Sequence, residues 1–253
     1  RRRDDERIVG VVPGLPDTPE IRADIADFHA SLRALDRAVG EVIDELDASG
    51  LAEQTLVIVT TDHGPPFSGY KATLTDRGLG VGLILRLPGM IAPGQVSDTM
   101  VSQIDLFPTI CALSNLPIPT WNQGRSLLPL LEGTQTNVRA EVFGEITFHA
   151  AYEPQRAIRT DRWTYIRHFS DYPYPVLANI DASPALEWLI ERGWSEQVVP
   201  TSTLFDNELD PLQRTNLSGV HNVAEIEPGI HAGTKLMQRY TKLFNSTQIK
   251  EKD

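Results

Sequence analysis

The stretch that decides the fold is Leu56-Val57-Ile58-Val59-Thr60-Thr61-Asp62-His63-Gly64. Its first four residues are continuously apolar and mostly β-branched, which is typical of a strand that is buried on both faces. Such strands belong to parallel sheets whose two faces are covered by helices. A second run of this kind extends from Val81 to Leu87. The sequence therefore predicts an α/β fold that contains part of a mostly parallel sheet flanked by helices.

A long amphipathic helix is predicted before this strand. Thr18-Pro19 has the form of an N-cap followed by proline at the first helical position. From Ile21 to Leu46 the apolar residues alternate at steps of four and three, and Gly50 ends the pattern. A coiled coil has the same spacing, but only about four heptads are present. Since an apolar strand follows within a few residues, we expect the helix to pack on the sheet.

After about residue 140 the sequence changes to short strand-like segments separated by turns. Predicted elements there are strands at 141–148, 156–160, 163–169 and 203–205, a helix at 185–194 and a terminal helix around 230–244. Before this point, a short helix is predicted at 103–114. Strands in this order predict a smaller antiparallel sheet with helices. We therefore expect two units: residues 1–139 as part of an α/β domain and residues 140–253 as an antiparallel α+β subdomain.

Composition excludes several classes of function. The chain has 34 acidic and 23 basic residues, for a formal charge of −11. This balance argues against a nucleic acid partner, since nucleic acid binding needs a basic surface. No apolar run reaches the roughly 20 residues of a membrane helix, so no membrane span is expected. Cys111 is the only cysteine, which excludes an internal disulfide framework and any zinc site with several cysteines.

The residues that follow the first strand are candidates for a metal site. In open parallel sheets, ligands bind beyond the carboxyl ends of the strands. Asp62 offers a carboxylate oxygen there and His63 an imidazole nitrogen, and both can bind one metal. The alternative is a turn-capping aspartate beside a surface histidine.

The order of motifs around this strand resembles the sulfatase family. The pattern comprises the strand ending in Thr61-Asp62-His63-Gly64, a loop to Lys71-Ala72-Thr73-Leu74, and a strand ending in Arg86-Leu87-Pro88-Gly89. Further resemblance is carried by residues 35–51, 103–110, 157–166 and 204–211, so that nearly the whole chain is covered. Softer motifs, Phe148-His149 and Asp171-Tyr172-Pro173-Tyr174, resemble the heparan N-sulfatase (sulfamidase) branch.

The resemblance implies an alkaline phosphatase-like fold and a sulfuric ester hydrolase or sulfamidase. The substrates expected are sulfated small molecules or glycans. Family members use a formylglycine made from cysteine or serine and a divalent metal, here expected to be Ca²⁺. They are often periplasmic, secreted or lysosomal, and no secretion signal is found in this chain.

By similarity, Asp62 is a metal ligand and His63 occupies the adjacent ligand position. Lys71 falls where the family places a catalytic cation that contacts a sulfate oxygen, and His149 is expected to line the substrate pocket. The alternatives are a solvated loop lysine and a structural histidine. Arg156 and Arg159 are candidates for contacts with acidic sugar groups, against the alternative of solvated arginines at a sheet edge.

The family's nucleophile segment, Cys/Ser-x-Pro/Ala-x-Arg, does not occur in this sequence, because Cys111 lies in Ile110-Cys111-Ala112-Leu113-Ser114. We therefore expect a C-terminal portion of a sulfatase that is inactive alone. We also expect it to need the N-terminal half or a second copy to cover its core. Two other functions remain open: a phosphodiester or phosphonate hydrolase of the same superfamily, and a noncatalytic module that retains the fold.

Overall fold

The computed structural model describes residues 3–218. This part contains two antiparallel sheets, five α-helices and several short 3₁₀ helices. The helices are α1 (Pro19–Ala48), α2 (Asp76–Leu79), α3 (Leu106–Leu113), α4 (Leu128–Leu131) and α5 (Pro184–Ile190). The strands are β1 (Val57–Thr60), β2 (Leu83–Arg86), β3 (Glu141–Phe148), β4 (Tyr152–Thr160), β5 (Trp163–His168) and β6 (Ser202–Asp206).

Helix α1 begins where the sequence predicts. The Thr18 side chain accepts a hydrogen bond from the backbone N–H of Ile21, and Pro19 occupies the first turn. Only the first turns are buried, with Ile21 and Ile25 fully enclosed. They pack on the 3₁₀ helix at residues 6–8 and on α5. An aromatic pair, Phe67 and Tyr70, belongs to the same apolar cluster.

The prediction that α1 packs on a sheet is wrong: its first half packs on the 3₁₀ helix and on α5, and its second half is largely exposed. Leu35 is 55% exposed and Val42 is 67% exposed. Val39 and Leu46 on the same face are half-buried, and no residue from Leu32 to Ala48 is fully buried within the described part of the chain. An ion pair ties the end of α1 to β2, with Arg86 Nη2 2.8 Å from Asp47 Oδ1.

The mostly parallel sheet is not found in the described part of the chain. Strands β1 and β2 pair antiparallel, with Val57 opposite Arg86 and Thr60 opposite Leu83. A parallel pair needs a crossover connection, usually a helix of several turns, whereas the connection here contains only the single turn of α2. Ile84 is 65% exposed, so β2 is not buried on both faces either. The continuous apolar pattern indicated a strand correctly but not the direction of its neighbour.

The predicted antiparallel layer after residue 140 is confirmed. The order is β3-β4-β5-β6, and every neighbouring pair is antiparallel. The apolar core of this sheet contains Ala157, Ile166 and Phe205, and Leu74 from the loop after β1 packs into it at 1% exposure. The second sheet therefore holds the loop that carries the candidate site residues.

Two other predicted helices are observed: a 3₁₀ turn at residues 103–105 continues into α3, and α5 occupies most of 185–194. Asp105 is fully buried at the start of α3 and is paired with Arg139.

The predicted terminal helix at 230–244 lies outside the described residues. The boundary between residues 139 and 140 stays a prediction. Within residues 3–218, no helix combines the length and the hydropathy needed to cross a bilayer.

Candidate functional site

Asp62 and His63 lie just past the end of β1, as the sequence predicts. The Asp62 side chain is 88% exposed, and its Oδ2 is 3.4 Å from His63 Nε2. The Asp62 carboxylate oxygen and the His63 ring nitrogen therefore face each other where a cation from solution can reach them. The structure brings these two predicted residues together.

The hydrogen bond of the His63 ring determines which nitrogen carries a proton. Nδ1 lies 2.6 Å from the carbonyl oxygen of Gly64. A carbonyl only accepts hydrogen bonds, so Nδ1 is the protonated nitrogen and Nε2 of the neutral ring carries the lone pair. A lone pair and a carboxylate oxygen repel each other unless a proton or a cation lies between them. The arrangement therefore fits either an imidazolium ion or a shared cation. Metal-binding histidines commonly donate the second ring N–H to a backbone carbonyl in this way.

The separation of the two donor atoms also fits one edge of a divalent metal site. Two ligands at right angles around a cation, each about 2.4 Å away, lie about 3.4 Å from each other. Calcium takes six to eight oxygen ligands. Within residues 3–218, no group of three or more His, Cys, Asp or Glu side chains is arranged to hold a metal. Asp62 and His63 thus fit as part of a metal site and not as a complete one.

Gly64 fixes the path of the loop behind this pair. Its N–H donates to the carbonyl oxygen of Gly78 at 2.9 Å. A Cβ atom at residue 64 would lie 1.8 Å from the backbone oxygen of Arg77. Only glycine allows the two backbone segments to approach so closely. The loop then turns back on itself, because the N–H of Lys71 donates to the carbonyl oxygen of Pro65 at 3.2 Å.

Lys71 is paired with a residue that sequence reasoning missed. Its side chain is only 19% exposed, and Nζ lies 2.9 Å from Oδ2 and 3.1 Å from Oδ1 of Asp181. Lys71 is therefore not a freely solvated loop lysine. The structure shows no side-chain contact between Lys71 and the Asp62–His63 pair, although one short loop carries all three. No local sequence signal marks Asp181, because it is 110 residues away in the chain.

His149 is exposed in the turn between β3 and β4. The side chain of Asn179 holds this turn, since its Oδ1 accepts hydrogen bonds from the backbone N–H groups of Ala150 and Ala151. Asn179 also donates to Glu153 at 2.8 Å. Burial raises the pKa of the Glu153 carboxyl above its ordinary value, and the hydrogen bond from Asn179 opposes this shift. The turn that carries His149 and the side chain of Lys71 thus each contact a residue of the short segment 179–181.

Arg156 and Arg159 have structural partners. Arg159 Nε lies 2.9 Å from Asp76 Oδ1 and links β4 to α2. Arg156 is 8% exposed, pairs with Glu145 at 2.7 Å and donates to the carbonyl oxygen of Ile146. Both guanidinium groups therefore hold the sheet and its surroundings together. Contacts with acidic sugar groups are not needed to explain them.

Comparisons with known proteins identify the family. The sequence model described as Sulfatase matches residues 5–116, and the one described as N-sulphoglucosamine sulphohydrolase, C-terminal, matches residues 70–188. The chain is 32% identical over 198 residues to an ulvan-active sulfatase of Formosa agariphila, an alignment that covers 76% of this chain and 39% of that protein. It is 30% identical over 229 residues to human N-sulphoglucosamine sulphohydrolase, covering 81% of this chain and 45% of that protein.

A solved structure in complex with its substrate D-glucosamine-2-N,6-O-disulfate has a similar fold, with a TM-score of 0.65 at 20% identity. The similarity covers 95% of this chain and 44% of that one. The chain therefore spans less than half the length of these relatives. Both family models describe sulfatases, and together they cover every candidate site residue. The chain belongs to the sulfatase family and matches a C-terminal portion of its members.

Proposed function

We propose that this chain supplies part of the active site of a hydrolase that acts on sulfate esters or sulfamates, with sulfated glycans as the substrate class. The observation that carries the proposal is the Asp62–His63 pair at the end of β1, whose Oδ2 and Nε2 atoms lie 3.4 Å apart, as two ligands of one cation do. Support for the reaction comes from the relatives, which are named as an ulvan-active sulfatase and an N-sulphoglucosamine sulphohydrolase.

In this proposal, Asp62 and His63 are ligands of a divalent metal, for which Ca²⁺ is the expected ion. When bound, the cation supplies positive charge that holds the sulfate oxygens. The carbonyl oxygen of Gly64 orients the His63 ring, so that Nε2 stays available. Further ligands must come from residues outside this pair, because calcium takes six to eight of them.

Lys71 is the catalytic cation of the proposal. Its ammonium group donates a hydrogen bond to a sulfate oxygen and stabilises the negative charge that develops when the S–O or S–N bond breaks. The fold of residues 64–78 brings the backbone of Lys71 back toward the segment that follows Asp62. His149 lines the sugar side of the pocket. The formylglycine of the family is not formed from this sequence, which lacks the Cys/Ser-x-Pro/Ala-x-Arg segment.

The metal role is tested by adding Mn²⁺ to the full chain and observing the backbone amide signals by NMR, since a paramagnetic ion broadens the signals near it. We expect broadening of residues 61–65 in the wild type, and its loss in Asp62→Asn and in His63→Gln. Asp98→Asn changes another exposed aspartate and should leave the broadening unchanged. Equal broadening in Asp62→Asn and in the wild type would refute the assignment.

The catalytic role is tested in a protein that joins this chain to a formylglycine segment. Removing one preorganised donor in an active site lowers kcat by about 100-fold or more. Lys71→Gln should therefore lower the hydrolysis of an aryl sulfate by about that factor. A Lys71→Gln variant with wild-type turnover would rule out a role for this ammonium group.

A further inference from the structure

The carboxylate of Asp181 is the partner that the fold gives to Lys71. Both of its oxygens lie within 3.1 Å of Lys71 Nζ. An ammonium group has three N–H donors. If two of them point at Asp181, one remains for an oxygen of a bound anion. Asp181 is half exposed, so an anion held by Lys71 lies close to this carboxylate.

The position of Asp181 is fixed from its N-terminal side by Asn179. Asn179 is 3% exposed, and its side chain makes hydrogen bonds of 2.9 Å and 2.8 Å to the N–H groups of Ala150 and Ala151. The amide nitrogen of the same side chain donates to Glu153. Because Asn179 has satisfied buried partners, the chain two residues before Asp181 is anchored to the β3–β4 turn.

On its C-terminal side, Asp181 is followed by the start of α5. Ser183 caps this helix by accepting a hydrogen bond from the N–H of Leu186 at 3.1 Å. The N–H of Ala185 donates to Asp24 Oδ2 at 3.1 Å, which ties α5 to α1. Asp181 therefore lies between two anchored points. Its contact with Lys71 follows from the fold and is not a chance pairing of two mobile surface side chains.

A fixed carboxylate beside the anion contact distinguishes anions by their charge. A sulfate monoester carries one negative charge, whereas a phosphate monoester carries nearly two above its second pKa of about 6. The repulsion from Asp181 is therefore almost twice as large for the phosphate monoester. Asp181 also neutralises much of the charge of Lys71, so that the site offers less attraction to a dianion.

We propose that Asp181 is a specificity-determining residue, which from its place beside Lys71 favours singly charged sulfate groups over doubly charged phosphate monoesters. The inference rests on the proposed sulfate contact of Lys71. By Coulomb's law, one extra negative charge at about 5 Å from the Asp181 carboxylate, with screening between that of a protein surface and that of water, changes the affinity about tenfold.

The experiment measures the binding of 4-nitrophenyl sulfate and 4-nitrophenyl phosphate to the full chain at pH 8 and constant ionic strength. Binding is followed by the NMR shifts of the amides in residues 64–80 and 177–183. The quantity of interest is the ratio of the two dissociation constants. Asp181→Asn should shift this ratio about tenfold toward the phosphate, and Asp181→Ser should do the same. Asp181→Glu keeps the charge and should restore the wild-type ratio. Asp171→Asn removes an exposed carboxylate from the preceding loop and is the matched control.

The outcomes separate this inference from the proposed function. The role of Asp181 is overturned if the ratio in Asp181→Asn and Asp181→Ser stays within twofold of the wild type. If Lys71→Gln weakens the binding of both ligands in the same experiment, the role of Lys71 stays intact. Wild-type binding of both ligands by Lys71→Gln overturns the sulfate contact itself. A loss of packing alone would change both dissociation constants together and leave their ratio unchanged.

Discussion

Gly64→Ala is the substitution that the structure predicts to be most damaging to the site loop. The added Cβ atom would lie 1.8 Å from the backbone oxygen of Arg77, whereas ordinary contact begins at 3.4 Å. The segments at residues 64 and 77–78 must therefore separate by about 1.6 Å. The obstacle is backbone and not the end of a flexible side chain, so no rotamer change relieves it.

The separation also breaks the 2.9 Å hydrogen bond from the N–H of Gly64 to the carbonyl oxygen of Gly78. Overpacking costs about 1–3 kcal/mol, and a lost backbone hydrogen bond adds about 1 kcal/mol. We expect the free energy of unfolding to fall by about 3 kcal/mol, which for a chain of this size lowers Tm by roughly 6–12 °C.

The assay is urea unfolding followed by circular dichroism, together with the Mn²⁺ broadening of residues 61–65. Gly82→Ala is the matched control, since Gly82 precedes β2 in the same region and a Cβ there meets no atom within 4 Å. It should change the free energy of unfolding by less than about 0.5 kcal/mol. A Gly64→Ala variant as stable as Gly82→Ala would refute the argument from close backbone approach.

Two further predictions concern pH and turnover. Burial lowers the pKa of His168, so the unfolded state binds the proton more strongly and the stability falls as pH drops below about 6.5. His168→Gln should flatten this decrease in urea unfolding between pH 7 and pH 5, whereas the exposed His149→Gln should retain it, and an unchanged slope in His168→Gln would contradict the prediction. The 253-residue chain alone should not hydrolyse an aryl sulfate, because its sequence has no Cys/Ser-x-Pro/Ala-x-Arg segment. Hydrolysis by the chain that disappears in Lys71→Ala would contradict this and show that the nucleophile lies within the chain.

The sequence by itself determined the elements whose signals are local. Thr18-Pro19 and the spacing from Ile21 predict α1 to within a few residues of its observed bounds, since capping and helical periodicity depend on residues a few positions apart. The apolar run before Asp62 predicts β1, and the chain order alone places Asp62 and His63 just beyond it. The antiparallel strands after residue 140 are also predicted correctly. Strands β3, β4 and β5 are joined by short turns, and such strands pair with their neighbours in sequence.

Only the tertiary structure decided how distant segments meet. The antiparallel pairing of β1 with β2 was not predicted, because a continuous apolar run has the same composition whichever way its neighbour runs. The exposed second half of α1 has the same periodicity as its buried first half, since amphipathicity shows which face is apolar but not what covers it. The contact of Lys71 with Asp181 joins residues 110 positions apart, and its strength depends on anchors at Asn179 and α5. Electrostatic pairing acts through space, so the partner of a charged side chain is set by the packing of the whole chain and leaves no mark in its local sequence.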